Sequence, residues 1–243
     1  MRSPKSTTSS WISDPPAGAV PLLDALLRAA EEKPARFQMP AHQGGTLFPD
    51  SFRLHLADID WTEGPDTGDL LHPAGPVRAA LDAAARAFGA GSTRFVTGGS
   101  TSALFALLHA VVPRGGTFLA GRASHRSVLA AAELFGLTAI PVSQPGPNPH
   151  TPPGSCPASP IPPMSAGELE AALARHPEAC AVLATSPDYY GTTADIAALA
   201  RLVHARGRVL LVDEAHGAHL AFAPPECQAP PPALSQGADG VVH

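Results

Sequence analysis

An acidic residue follows an apolar run near the carboxyl end of the chain. Residues 209–212 are branched and apolar, which predicts an interior strand of an α/β sheet, and Asp213 comes directly after them. Sheets of this kind place ligands at the carboxyl ends of their strands. A buried carboxylate needs a partner, and a protonated ring nitrogen, an arginine or a loop that it caps would each serve. These alternatives stay open on the residues alone.

A second cluster combines glycines with hydroxyl groups. In the stretch Thr97-Gly-Gly-Ser-Thr-Ser102, two glycines give the backbone freedom and three hydroxyls follow at the expected start of a helix. Backbone N–H groups and the positive end of a helix dipole bind phosphate at such a turn. No Gly-Lys-Ser/Thr follows, so this is not a Walker A loop. An ordinary helix start after a glycine turn explains the same residues.

The two clusters together indicate a pocket for pyridoxal 5'-phosphate (PLP), whose chemistry normally needs a lysine. The chain has two lysines, Lys5 and Lys33, and both precede these clusters. His125 follows an expected strand end and could stack on a flat ring, although an isolated histidine is more often structural. His216 and His219 are three apart, but no third ligand accompanies them, and we predict no metal site.

The elements that must position these residues alternate along the chain. The expected helices cover residues 18–30, 76–88, 104–111, 125–135, 165–175 and 194–206, and the expected strands cover 93–96, 117–120, 138–142, 181–184 and 208–212. Thr193 is the expected N-cap of the last helix, with Gly207 just past its end. This alternation predicts an α/β fold with a mostly parallel sheet and helices on both faces.

Three regions are expected along the chain. Residues 1–17 read as a disordered tail, 18–75 as a helix and loop segment, and 76–243 as the major domain. Residues 143–163 contain nine prolines and are expected to be an exposed insertion within that domain, since proline suits neither helices nor central strands.

The composition excludes several classes of protein. Hydrophobic residues make up 44% of the 243 residues and charged residues 15%, which is typical of a globular protein. A net charge of −5 gives no reason to expect nucleic acid as a partner, and no apolar run is long enough for a membrane span. The N-terminus lacks the apolar core of a signal peptide, and Cys156, Cys180 and Cys227 form no CxxC pair. We expect a cytoplasmic protein.

Seven segments in a fixed order resemble the Orn/Lys/Arg decarboxylase family of fold-type-I PLP enzymes. They are residues 39–45, 69–76, 87–90, 97–101, 124–127, 185–191 and 212–219. The resemblance implies the large domain of these enzymes, in incomplete form.

The resemblance also implies a role for each site residue. Catalysis would depend on Asp213 and His125. Ser100 and Thr101 would bind the cofactor phosphate, and Gly99 and Ser102 would shape that turn. His125 would stack on the ring, and Asp213 would pair with the ring nitrogen. Ala215 would pack against the ring, and His216 would lie beside its phenolic edge.

The implied reaction is PLP-dependent decarboxylation of arginine, lysine or ornithine to an amine, in a homodimer or higher oligomer. In the family a Ser-Thr-His-Lys motif carries the PLP lysine after the strand that resembles residues 237–243, so we expect this chain alone to be inactive. Another fold-type-I enzyme, such as an aminotransferase or α-oxoamine synthase, and a non-catalytic partner protein are the alternatives.

Three positions depart from the family pattern. Gln43 stands where the family usually has lysine, Gly98 where it commonly has asparagine, and Asp188 where it commonly has threonine. Asp188 is therefore expected to add a negative charge near the pocket.

Overall fold

The computed structural model describes residues 20–32, 35, 42–46, 48–142 and 161–243, which separate between Thr62 and Glu63 into two compact units. Both lysines, the expected tail at 1–17 and residues 143–160 of the proline-rich insertion lie outside the described residues. The division of the chain at 75/76 stays a prediction.

The N-terminal unit contains two described α-helices. Helix α1 is Pro21–Glu31 and begins with proline in its first turn, where the missing N–H costs nothing. Helix α2 is the single turn Asp50–Arg53. The apolar residues of α1 are exposed in the structure, namely Leu22, Leu23, Leu26 and Leu27.

The second unit is built on a five-stranded sheet. Its strands are β1 Thr117–Gly121, β2 Thr138–Val142, β3 Ala179–Thr185, β4 Val209–Asp213 and β5 Gly240–Val242. Every neighbouring pair is parallel, and the order across the sheet is β2-β1-β3-β4-β5. This confirms the predicted α/β fold with a parallel sheet.

Five helices belong to the same unit, and four of them cover the sheet. They are α3 Gly75–Phe88, α4 Gly99–Val111, α5 Arg126–Phe135, α6 Ala166–Arg175 and α7 Ile196–His204. Leucines of α4 pack with α5 on one face, and apolar residues of α6 and α7 pack on the other. No helix in the described part of the chain is long and apolar enough to cross a membrane.

The central strand β3 shows why the sheet residues are apolar without alternation. Ala181 and Leu183 point into the core formed with α4 and α5, whereas Val182 and Ala184 point into the core formed with α6 and α7. All four side chains are at most 1% exposed. A strand covered on both faces needs apolar residues at every position.

The chain enters α6 at a firmly fixed point. Ser165 and Glu168 form a capping box, in which each side chain bonds to the backbone N–H of the other residue. The preceding Met164 is buried in the core with α6 and α7.

Two of the predicted local features are wrong. Residues 93–96 form no strand, because no backbone hydrogen bond joins residues 91–97 to another described segment, and strand-forming side chains need a partner strand. Helix α7 is capped by Asp195 rather than Thr193, since the Asp195 carboxylate accepts the N–H of Ala198 at 2.9 Å.

The outer edge of β5 faces a groove of about 870 Å³. The groove is lined by residues 90–97, by one side of α4 and by residues 239–243. Residues 93–96, the expected strand, therefore form one wall of this groove.

Candidate functional site

The strand order predicts a ligand-binding crevice at the carboxyl edge of the sheet. From β1 the sheet continues to β2 on one side and to β3 on the other, so the loops that follow β1 and β3 diverge. The loop after β1 carries Ser124 and His125. The hydroxyl of Thr185, at the end of β3, lies 3.5 Å from the Ser124 hydroxyl. The two loops therefore meet at this edge of the sheet.

Asp213 ends β4 beside the loop that follows β3 and is only 4% exposed. One carboxylate oxygen, Oδ1, accepts the N–H of Ala215 at 3.2 Å, and no other described donor reaches the carboxylate. Burial raises the pKa of Asp213, while the Ala215 N–H and the nearby His125 and His216 act in the opposite direction. A buried carboxylate with one unshared oxygen is suited to a cationic partner.

His125 is the N-cap of α5 and lies close enough to Asp213 to affect its pKa. Its Nδ1 accepts the N–H of Ser127 at 3.2 Å and lies 2.8 Å from the Ser127 hydroxyl. Because Nδ1 is an acceptor, the proton of the neutral imidazole is on Nε2. Ser127 is buried and fixes the ring, while the imidazole itself is exposed and can face a ligand.

The glycine turn lies at the start of α4, as predicted. Gly98 is the N-cap and Gly99 has φ of 74°, in the left-handed region that favours glycine. The Ser100 hydroxyl donates to the carbonyl oxygen of His243 at 3.0 Å. Since His243 follows Val242, which pairs with Asp213, β5 connects the turn to the acid. The structure thus places the turn and Asp213 at the same edge.

Ala215 and His216 follow Asp213 directly. Ala215 is half-buried and His216 is exposed, with its ring edge-on to Tyr189 at 5.9 Å between centroids. The backbone N–H of Ser186 donates to the Asp213 carbonyl at 3.0 Å and holds the loop after β3 beside β4. The exposed tyrosines of that loop therefore stand next to His216.

Asp188, which was expected to add a negative charge near the pocket, is buried and shapes this loop. It is 2% exposed, and its Oδ1 accepts the N–H groups of Tyr190 and Thr192, each at 2.9 Å. An aspartate followed by a glycine three residues later is a common turn signature, so the sequence contained this signal.

Glu214 is a site residue that the sequence reasoning missed. Its side chain is 2% exposed, Oε1 accepts the N–H of Ala233 at 2.9 Å, and Oε2 lies 3.7 Å from Nε2 of His243. Burial raises its pKa to about 7. No local pattern marks this role, because both partners are distant in sequence.

The donor set of this edge fits PLP. A helix start with free backbone N–H groups suits a phosphate, the desolvated Asp213 suits a protonated ring nitrogen, and His125 offers a flat ring. Among the described residues, no three His, Cys, Asp or Glu side chains come together as a metal site requires.

Comparison with known proteins identifies related sequences. The family described as Orn/Lys/Arg decarboxylase, major domain, matches residues 20–241. An arginine decarboxylase of Halalkalibacterium halodurans is 31% identical over 83% of this chain and 40% of its own length. One from Bacillus subtilis is 31% identical over 90% of this chain and 43% of its length. The chain thus spans less than half the length of these curated relatives.

Solved structures show the same fold. Lysine decarboxylase A from Pseudomonas aeruginosa aligns with a TM-score of 0.54 and 26% identity, covering 82% of this chain and 28% of that protein. An L-threonine transaldolase from Pseudomonas fluorescens aligns with a TM-score of 0.51 and 18% identity, covering 74% of this chain and 38% of that one. The second similarity concerns the fold alone.

Proposed function

The chain belongs to the Orn/Lys/Arg decarboxylase family, and we propose that it forms the cofactor-binding part of a PLP-dependent decarboxylase of basic amino acids. The protein to which this part belongs would release the substrate carboxylate as carbon dioxide and leave an amine. Arginine and lysine are the favoured substrates, because relatives that match this chain are named arginine and lysine decarboxylases.

The position of Asp213 carries this proposal. It is a desolvated carboxylate at the carboxyl end of the interior strand β4, with a fixed orientation and one unshared oxygen. When bound, PLP supplies a conjugated ring that accepts the electron pair left by the departing carboxylate. Asp213 would keep a proton on the ring nitrogen, because its carboxylate stabilises a cation in this poorly solvated position.

The other residues would bind and orient. The backbone N–H groups at the start of α4 would hold the phosphate, with help from the hydroxyls of Ser100 and Thr101, while Ser102 would shape the turn. His125, fixed by Ser127, would cover one face of the ring, and Ala215 would pack on the other side. His216 would lie near the phenolic oxygen, where its exposed imidazole can donate or hold a proton.

The described residues include no lysine, since Lys5 and Lys33 lie outside them. We therefore expect PLP to bind the described residues without a covalent bond to them. We also propose a homodimer or higher oligomer, located in the cytoplasm, as the assembly of this family member.

Calorimetric titration with PLP tests the cofactor assignment. The chain should bind PLP, and Asp213→Asn should bind at least tenfold more weakly, because a neutral amide stabilises the ring cation less. Equal affinities for the two proteins would contradict the assignment of Asp213.

The reaction class needs a protein of the relatives' full length. Such a protein, incubated with arginine, lysine and ornithine, should release carbon dioxide and the matching amine. Formation of a keto acid or ketone instead would favour an aminotransferase or an α-oxoamine synthase.

A further inference from the structure

Two neighbouring tyrosines project from the loop after β3, next to the candidate site. Tyr189 and Tyr190 are 80% and 55% exposed, although the strand that leads into this loop is buried on both faces. Their rings meet at 85° with 5.5 Å between centroids, and the ring of Tyr189 also meets that of His216 at 84° and 5.9 Å. The two tyrosines therefore form a corner with an aromatic ring on each side.

The backbone that carries these rings is held by the turn beneath them. Oδ1 of the buried Asp188 accepts the N–H groups of Tyr190 and Thr192, each at 2.9 Å. The carbonyl oxygen of Asp188 accepts the N–H of Gly191 at 3.0 Å, and its N–H donates to the Thr192 carbonyl at 2.9 Å. Because the turn is already ordered, binding a ligand at the rings costs less conformational entropy.

The loop of the tyrosines also packs against the segment that follows Asp213. The Ser186 N–H donates to the Asp213 carbonyl at 3.0 Å. Two residues beyond Ala215, a Cβ on Gly217 would lie only 2.6 Å from Cδ of Pro187, so the two backbones are in close contact there. The aromatic corner is therefore fixed beside the acid, at the carboxyl edge of the sheet.

Aromatic faces attract cations. The face of a tyrosine ring is negative, and a guanidinium or ammonium group within about 6 Å of the ring centroid is stabilised by it. Since the two centroids are 5.5 Å apart, one cation can lie within that distance of both rings. A planar guanidinium can in addition stack on one of the two faces. A basic amino acid carries such a group at the end of a long, flexible side chain.

We propose that Tyr189 and Tyr190 bind the cationic end of the substrate side chain and thereby select basic over neutral amino acids. This inference rests on the proposed function, which places the reacting part of the substrate near Asp213. His216 contacts Tyr189 from the side of the cofactor and helps to orient its ring.

A pair of cofactor adducts tests the role of the tyrosines. N-phosphopyridoxyl-L-arginine and N-phosphopyridoxyl-L-citrulline join the cofactor to the amino acid by a stable single bond, so their binding needs no lysine. Citrulline has nearly the shape of arginine but a neutral urea in place of the guanidinium. In calorimetric titrations, the wild-type chain should bind the arginine adduct about five- to thirtyfold more tightly than the citrulline adduct.

Variants of the two rings identify the source of this preference. The double variant Tyr189→Leu/Tyr190→Leu should reduce it to less than about twofold, whereas Tyr189→Phe/Tyr190→Phe should retain it, because a phenyl ring keeps its negative face. Phe222→Leu, the control at an exposed ring outside the corner, should also retain it. None of these substitutions alters the net charge of −5, so a changed preference is not due to overall attraction of the cation.

The possible failures can be told apart. An equal preference in the wild type and the double leucine variant, or no preference in the wild type, would overturn the role of the tyrosines. Parallel weakening of both adducts by the leucine substitutions would assign the rings a structural role instead. If PLP binds the wild type but the two adducts bind equally, the cofactor site stands and only the aromatic corner is refuted. If neither PLP nor the adducts bind, the proposed function is wrong, and this inference falls with it.

Discussion

Ser102 donates a hydrogen bond from its hydroxyl to the carbonyl oxygen of Gly98. The Ser102 side chain thereby occupies the space that a side chain at position 98 would need. A Cβ on Gly98 would lie 2.8 Å from the Ser102 Cβ and closer still to its Oγ. The family resemblance leads one to expect asparagine at position 98. Ser102 therefore gives a packing reason for the glycine that stands there.

Gly98→Ala should accordingly destabilise the fold. Overpacking of this kind costs about 1–3 kcal/mol in the free energy of unfolding, which urea denaturation measures. Gly91→Ala is the matched control, because a Cβ there meets no atom within 4 Å. If the two variants lose equal stability, the contact with Ser102 is not the cause.

Asp213→Asn should separate stability from binding. Burial raises the pKa of Asp213, so its charged form is unfavourable in the ligand-free protein, and an asparagine can still accept the Ala215 N–H. We expect the free energy of unfolding at pH 8 to rise by about 1–3 kcal/mol while PLP binding weakens. Asp195→Asn, at the exposed N-cap of α7, should change neither quantity appreciably. A less stable Asp213→Asn protein would show that the carboxylate has a partner within the fold.

Glu214 should make stability depend on pH. Its pKa is raised from 4.5 to about 7, so the folded state binds this proton more tightly than the unfolded state does. The resulting stabilisation is complete below the unfolded pKa, declines as pH rises through the folded pKa, and is absent above it. At most about 3 kcal/mol is lost in this window.

The comparison with Glu214→Gln isolates that contribution. His243, which faces Glu214, has a pKa lowered by burial and therefore acts in the opposite sense at acidic pH. The difference in unfolding free energy between Glu214→Gln and the wild type removes most of this opposing effect. As pH rises from about 4.5 to 7, this difference in unfolding free energy should shift in favour of the variant. A constant difference across this range would contradict the raised pKa.

Asp188 is predicted to stabilise the loop that carries Tyr189 and Tyr190. Asp188→Ala would leave the N–H groups of Tyr190 and Thr192 without their acceptor, at a cost of about 1–3 kcal/mol. Asp188→Asn keeps an oxygen for both bonds and should lose much less. The free energies of unfolding of the two variants, measured in urea, test this role. If Asp188 acts only through its charge, both variants should lose the same stability.

Much of the fold could be predicted because its signals are local. Strand β2 has the predicted bounds, and β4 ends one residue beyond its predicted end, since apolar runs between turns identify buried strands. The failure at residues 93–96 has a tertiary cause: their side chains favour a strand, but pairing depends on a neighbour that no local pattern reveals.

The site was predictable to the same extent. The expected strand ends alone predicted that Asp213, His125 and the α4 turn lie at one edge of the sheet. Glu214 and His243 were missed as a pair because they meet only after β4 and β5 align. No sequence pattern indicates the hydrogen bond between the Ser100 hydroxyl and the backbone of His243. Ser100 and Thr101 therefore had the same predicted role.

The fixed entry into α6 has a consequence for how this chain can change in length. Val142 at the end of β2 and Met164 before α6 are both buried in the same core, and the Ser165 capping box sets where the helix starts. A change of chain length between them should therefore leave the start of α6 where it is, because Met164 and the capping box set that start locally.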